Sequence, residues 1–232
     1  MIKRLDLVRD RIGRAAGRSG RGQDAVTLVA VAKTVPAETI VAALNLGIRD
    51  LGENRVQEAE EKIFRVRSAP GGGQARWHLI GHLQRNKAAR AVGAFDRVHG
   101  VDGLELAAAL SRHAVAASRV LPVMIEVNVM GVASQFGVAP DEIEPLVRAV
   151  SELPGLALDG LMTVGARPGR AEDSRPAFAR LREMRDRVAR ASGVRLPELS
   201  MGMSGDFEVA IEEGSTMVRV GAAIFGGRTS RA

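Results

Sequence analysis

Short apolar runs alternate along the chain with longer stretches in which apolar positions recur every three or four residues. The runs are VTLVAVAK (26–33), DLGEN (50–54), RWHLIGH (76–82), FDRVHGVD (95–102), LPVMIEVNV (121–129), LALDGLMTV (156–164), ELSMG (198–202) and TMVRVG (216–221). Each reads as a strand, and most are apolar enough to be covered on both faces, as parallel strands are. Between them lie helix-like segments at 36–47, 55–67, 84–93, 103–117, 140–153, 171–192 and 206–214, and 222–227 opens a last one. A further amphipathic helix is predicted at 2–17, before the first strand. Eight strand–helix units in one chain predict an α/β fold, a single (β/α)8 TIM barrel over residues 1–232 with an extra N-terminal helix. The competing open doubly wound sheet is weaker, because KTVPAE, and no G-x-G-x-x-G, follows the first strand.

Alternation along a strand then assigns faces. Val29, Val31 and Lys33 share one face of the first strand, and Leu28, Ala30 and Ala32 the other. Barrel interiors favour branched side chains, so the Val/Val/Lys face is expected inside. That carries Lys33 to the carboxyl end of the strand, where barrel active sites form, and where partial desolvation makes an amine nucleophilic. The plain alternative is a lysine snorkelling at a strand end. In the eighth strand Met217, Arg219 and Gly221 share a face, expected inside. Arg219 there needs a partner: either a carboxylate such as Glu126, or a ligand. The segments SMGMSGD (200–206) and VGAA (220–223) are rich in small residues and open onto helices after strands seven and eight, where barrels hold phosphate.

Composition sharpens this picture. Of 33 basic residues only Lys3, Lys33, Lys62 and Lys87 are lysines, leaving 29 arginines. A guanidinium stays protonated and forms no imine, so the lysine ending an apolar run is distinctive. A lysine amine opposite a phosphate cradle fits an aldehyde that carries a phosphate, and pyridoxal 5′-phosphate (PLP) has both groups. Cysteine is absent, which excludes disulfides, thiolate catalysis and cysteine zinc sites, and no metal site is expected. The net charge of +6 invites a nucleic-acid reading, but the basic residues are interleaved with acidic ones and aromatics are 3%. No partner nucleic acid is therefore expected. The N-terminal segment reads as neither signal peptide nor membrane span, so a cytoplasmic protein without membrane contact is the expectation.

The stretches VAVAKTVP, LGENRVQEAEEK, WHLIGHLQRNK, LPVMIEVNV, LMTVGA and LSMGMSGDFEVAIEEGSTMVRVGAAIFG, spanning 28–226, resemble the pyridoxal phosphate homeostasis proteins. That family is similar to the barrel domain of alanine racemase standing alone. The resemblance implies that Lys33 carries the imine and that Asn54 lies beside the ring. It implies phosphate contacts from Ser200, Gly202, Ser204, Gly221 and Ala222, with Arg219 facing the pyridine nitrogen. It also places His78, Gly81 and His82 at the mouth, with helix capping or packing as the alternative for the histidines. The chain departs from the family after strand five, where VNVMGVASQFG puts Val132 and Gln135 in place of a Glu and a Lys, and at His82, where members often have Pro or Ser.

The resemblance implies a carrier of vitamin B6 aldehyde, which holds PLP as a Schiff base and releases it to other proteins, apo PLP-dependent enzymes among them. No robust catalytic activity and no catalytic residue are expected. The alternative is a PLP-dependent amino-acid racemase of weak activity. Alanine-racemase chemistry uses a tyrosine from a second domain, and this chain has no tyrosine. The expected state is a monomer, since the domain that dimerises racemases is missing.

Overall fold

The computed structural model describes residues 1–165 and 169–226. Eight parallel strands close into a barrel in chain order: β1 (Thr27–Val31), β2 (Asp50–Glu53), β3 (Arg76–Leu79), β4 (Arg97–Val101), β5 (Leu121–Glu126), β6 (Leu156–Met162), β7 (Glu198–Met203) and β8 (Met217–Val220), with β8 pairing back onto β1. Each strand feeds one helix: α2 (Ala37–Asn45), α3 (Val56–Arg67), α4 (Ala88–Ala94), α5 (Leu104–Ala116), α6 (Ile143–Ser151), α7 (Arg175–Ser192), α8 (Phe207–Glu212) and α9 (Ala222–Phe225). The expected barrel is therefore present. Ala166, which ends LMTVGA, and Gly227, which ends the expected last helix, lie outside the described residues.

The extra helix α1 (Ile2–Arg18) is also present. Its buried stripe of Leu5, Val8, Ile12, Ala15 and Ala16 packs on α8 and α9. Arg11 lies 4.5 Å over the Phe207 ring and pairs with Glu208 at 2.7 Å, and Arg4 Nε donates to the Ile224 carbonyl at 2.9 Å. None of the helices among the described residues is long and apolar enough to cross a membrane.

Two apolar regions are separate. The large one lies between strands and helices; it takes Leu28, Ala30 and Ala32 from β1 and the end that follows it, together with Ile40 and Ala43 from α2. Val29, fully buried, is outside that cluster and pairs in register with Arg219 on the inner side, so the predicted facing of β1 holds. The barrel interior has its own small layer of Met124, Met162 and Met217. Methionine is flexible enough to fill the irregular space left by polar neighbours. Those neighbours are His78, His99, Glu126, Ser200 and Arg219, all buried.

The first strand is shorter than its apolar run. It ends at Val31, and Lys33 sits in a turn beyond it. The Val35 N–H donates to the Ala32 carbonyl at 3.0 Å, closing that turn, and Thr34 adopts φ +64°. Pro36, which has no N–H to offer a strand, then caps α2. Lys33 is exposed. The chain leaves the sheet before the lysine, so the amine stands exposed at the rim where partial desolvation was expected.

Candidate functional site

The rim site is built from four consecutive strand ends. Val31 pairs with Gly52 as the last rung between β1 and β2, and Lys62 Nζ bridges the next residues of both segments, the Ala32 carbonyl and Glu53 Oε1, so the turn that carries Lys33 and the segment that carries Asn54 leave the barrel side by side. On the other side Ala30 pairs with Val220, so the end of β1 lies beside Gly221. The Gly221 N–H donates to Ser204 Oγ at 3.3 Å, which joins the loop after β8 to the loop after β7. Lys33, Asn54, Gly221 and Ser204 therefore share one arc of the rim. Ala222 continues that arc as the exposed first residue of α9.

Two features of this arc ask for a ligand. The Lys33 ammonium has no hydrogen bond or ion pair among the described residues. Asn54 Oδ1 is buried and without a hydrogen-bond partner. A buried unpaired acceptor costs about 1–3 kcal/mol, so it is retained where something else completes it. Gly81 explains how Asn54 is held so close: a Cβ there would lie 2.4 Å from the Asn54 carbonyl oxygen, so only glycine lets the end of β3 pass. An amine, an orphaned amide oxygen and a pair of small-residue loops fit the aldehyde, ring and phosphate of PLP.

Gly202 serves the frame of the site. It has φ +94°, and a Cβ would come within 2.5 Å of Ala210 Cβ and 2.9 Å of Phe207 Cα. Its absence of a side chain lets α8 fold back tightly on β7, which delivers Ser204 to the rim. Asp206 fixes the same turn, accepting from the Met203 N–H at 2.7 Å and from Ser174 Oγ at 2.9 Å.

Arg219 faces the barrel interior and is 4% exposed. It does not form the ion pair with Glu126 that was one of its two expected partnerships. Its Nη1 donates to the Ser200 carbonyl and to Ser200 Oγ, both at 2.7 Å, and its Nη2 to the Thr163 carbonyl at 2.9 Å. Burial pulls the guanidinium down to about 10, which still leaves it charged at neutral pH. Glu126 stays separate, with Oε2 buried and unpartnered, and burial pushes its carboxyl up to about 7.

Ser200 lies apart from the rim arc. It sits within β7, fully buried, four residues before Ser204, and its hydroxyl is held by Arg219 and by His99 Nδ1 at 2.8 Å. The geometry thus sets Ser200 beneath the arginine, away from the loop pair expected to cradle phosphate. Of the two alternatives for His78, the geometry fits the packing one: it is 3% exposed inside the barrel, where Asp50 and His99 hold its two ring nitrogens. His82 does reach the rim. It pairs with Asp102 at 3.0 Å and stacks on Phe136, with ring centroids 3.8 Å apart.

The departures after strand five fall on a loop organised by Asn128. Its side chain donates to the Val132 carbonyl at 2.9 Å and to the Gln135 carbonyl at 3.3 Å, and accepts from the Val132 N–H at 3.0 Å. The two substituted residues are gripped through their backbones, so their side chains change without disturbing the loop.

One participant is absent from the sequence reading. Lys62, on α3, donates to Glu53 Oε1 at 2.7 Å and to the Ala32 carbonyl at 2.9 Å. Its amine is therefore engaged, and it buttresses the residue just before Lys33. Its place in the polar, helix-like segment 55–67 made it look like surface.

The model of the alanine racemase N-terminal domain family matches residues 4–229. A pyridoxal phosphate homeostasis protein from Aquifex aeolicus (strain VF5) is 42% identical over 226 residues, covering 97% of this chain and 97% of the relative. PipY of Synechococcus elongatus PCC7942, in its form without PLP, has a TM-score of 0.86 and 34% identity, covering 97% of this chain and 99% of PipY. In the form with PLP bound the TM-score is 0.81 and the identity 36%, covering 87% and 93%. With a match at this length and identity, the chain belongs to the alanine racemase N-terminal domain family and, within it, to the pyridoxal phosphate homeostasis proteins.

Proposed function

We propose that this chain binds pyridoxal 5′-phosphate at the rim arc, holds it on Lys33 as a Schiff base, and releases it to other proteins, so that it serves intracellular PLP homeostasis. The observation that supports the reading is that the strand ends before Lys33, Asn54 and Gly221 are neighbours in the barrel, with the Lys33 amine free, Asn54 Oδ1 orphaned and the Ser204 and Gly221 loops joined. The Aquifex relative is a pyridoxal phosphate homeostasis protein, and PipY has been solved with PLP bound, which supports the same reading.

The group supplies an aldehyde that condenses with an amine, losing water, and Lys33 is the amine placed to meet it. Asn54 lies beside the ring. Ser204, Gly221 and Ala222 offer a hydroxyl and backbone N–H groups to the phosphate, while Gly202 shapes the turn that positions Ser204. Ser200 acts on the ring side, by holding the arginine. Arg219 would face the pyridine nitrogen, and its charge would disfavour protonation there. An unprotonated ring is a weaker sink for α-carbon electrons, so the site favours holding PLP over racemase chemistry. Arg219 forms no ion pair with a carboxylate among the described residues; Glu126 and Asp206 act on its charge only from a distance. A cytoplasmic monomer that hands PLP to apo PLP-dependent enzymes completes the proposal.

The test is a titration of the PLP-free protein with PLP, followed by visible absorption, for the native chain and for Lys33→Ala. A Schiff-base band is expected with the first and absent with the second; the same band in both rejects the assignment. Incubation of the loaded protein with L-alanine, followed by chiral analysis, separates carrier from racemase. Turnover at ordinary enzyme rates, roughly 1 to 10³ per second, would contradict the carrier reading.

A further inference from the structure

Below Arg219 an unbroken row of hydrogen bonds crosses the barrel interior. Arg219 Nη1 meets Ser200 Oγ at 2.7 Å, Ser200 Oγ meets His99 Nδ1 at 2.8 Å, His99 Nε2 meets His78 Nδ1 at 2.9 Å, and His78 Nε2 meets Asp50 Oδ1 at 2.8 Å. The five residues come from β8, β7, β4, β3 and β2. Ser200 and His99 are fully buried, and His78 and Arg219 nearly so. The far end, Asp50, is the first residue of β2 and borders a cavity of about 260 Å³ with Arg76, His78 and Arg97. We infer that Asp50, His78 and His99 are positioning residues: through Ser200 they fix the orientation of Arg219 toward the ring of the cofactor. This rests on the reading of the rim as a PLP site.

The two ends dictate the direction of every bond. Arg219 can only donate, and an ionised Asp50 can only accept. Ser200 Oγ accepts from Arg219, so its own proton is given to His99 Nδ1. His99 must then carry its proton on Nε2 and give it to His78 Nδ1. His78 in turn carries its proton on Nε2 and gives it to Asp50. With both imidazoles neutral, each donor and each acceptor in the row is used once. One added proton spoils this. It would make His78 cationic and reverse the two bonds above it, leaving the Ser200 hydroxyl hydrogen without an acceptor in a site closed to water.

The surroundings favour a neutral His99 and an ionised Asp50. Burial first, then the neighbouring His78 and the charges of Arg219 and Arg97, hold His99 well below its ordinary range. Burial opposes the charge on Asp50, but the hydrogen bonds from His78 and Arg76 outweigh it and keep the carboxyl below its ordinary value. The other charged groups facing the row are Glu126 and Asp206 on the Arg219 side, and Asp159, which pairs with Arg97 at 2.8 Å. The Thr163 carbonyl holds Nη2 of Arg219 while the relay holds Nη1, so the guanidinium plane is clamped from two sides. Bonds aligned in one direction within a dry interior polarise one another.

The test has two readouts. In the PLP-free native protein, nitrogen–proton correlation spectra of the imidazoles should show His78 and His99 both protonated on Nε2 and bare on Nδ1. His99 protonated on Nδ1 would overturn the relay. In the PLP-loaded protein, His99→Phe removes both contacts while keeping a ring, and His99→Asn restores an acceptor near the position of Nδ1. The pH midpoint of the absorption band should move by about one unit in His99→Phe, with PLP retention weakened about tenfold, and most of the change should be recovered in His99→Asn. An unmoved midpoint in His99→Phe, or equal effects of the two variants, would overturn the proposal. Failure of the native protein to form a Schiff base would count against the PLP site alone, since the tautomers are read without PLP.

Discussion

Lys62 Nζ donates a 2.9 Å hydrogen bond to the carbonyl oxygen of Ala32, the residue immediately before Lys33. The same ammonium neutralises Glu53, whose side chain is 2% exposed, at 2.7 Å. Burial holds the Glu53 carboxyl above its ordinary range in spite of this pairing. Lys62→Met therefore strands a carboxylate in the interior and frees the turn that presents Lys33. A loss of about 3 kcal/mol is expected in urea unfolding at pH 8, smaller in acid where Glu53 is neutral in any case. Pairing the change with Glu53→Gln should recover part of the loss. A single variant within about 0.5 kcal/mol of the native protein would contradict this role.

Glu126 gives a prediction in pH. Burial raises its carboxyl from 4.5 to about 7, against the pull of the Arg219 charge. Between those values the native state binds more protons than the unfolded chain, so this group's contribution to stability is full below 4.5 and is lost as pH rises through about 7. Glu126→Gln keeps the shape and removes the titration. Urea unfolding should give similar stabilities for the two proteins near the acid end, and a variant more stable by on the order of 2 kcal/mol at pH 8. Asp159, which burial raises to about 6, adds a slope of the same sign to both proteins and cancels in the difference. A difference that does not depend on pH would show that folding leaves the Glu126 carboxyl unshifted and would contradict this reading.

Two glycines, one at the end of β7 and one in the turn after it, should behave oppositely. At Gly202 an added Cβ would collide with α8 at 2.5 Å, on a backbone with φ +94°; at Gly205 nothing lies within 4 Å. Gly202→Ala is expected to cost about 3 kcal/mol, from left-handed backbone and overpacking together. Gly205→Ala should leave the melting temperature of the PLP-free chain nearly unchanged. Calorimetry of both variants decides: equal melting temperatures would contradict the tight β7–α8 turn.

Much of this was legible in the sequence, for physical reasons that can be named. Apolar runs long enough to be covered on both faces marked the eight strands, and a lysine ending one of them marked the rim. The small residues after β7 and β8 marked the loops that Ser204 and Gly221 join. What stayed hidden depends on irregular strands. The register shifts between Val98 and Val101, so that both valines pack in the outer core while His99 turns inward and Gly100 leaves room beside Glu126 Oε2. A second shift between Ser200 and Met203 sends Ser200 inward and Gly202 against α8. Strict alternation does not anticipate either shift. His78 stayed open between two readings for a related reason: RWHLIGH reads as one strand, whereas β3 ends at Leu79, leaving His78 within the barrel and His82 at the rim. Three polar residues on inner faces of neighbouring strands, Asp50, His78 and His99, were the available signal for the relay.

The central claim concerns one amine. Borohydride reduction of the PLP-loaded protein, followed by proteolysis and mass spectrometry of the labelled peptide, reads it directly. The account predicts a single pyridoxyl label on Lys33, whose ammonium is unpaired, with Lys62 unlabelled because Glu53 and Ala32 occupy it. A label on Lys3, Lys62 or Lys87, or no label at saturating PLP, would contradict it.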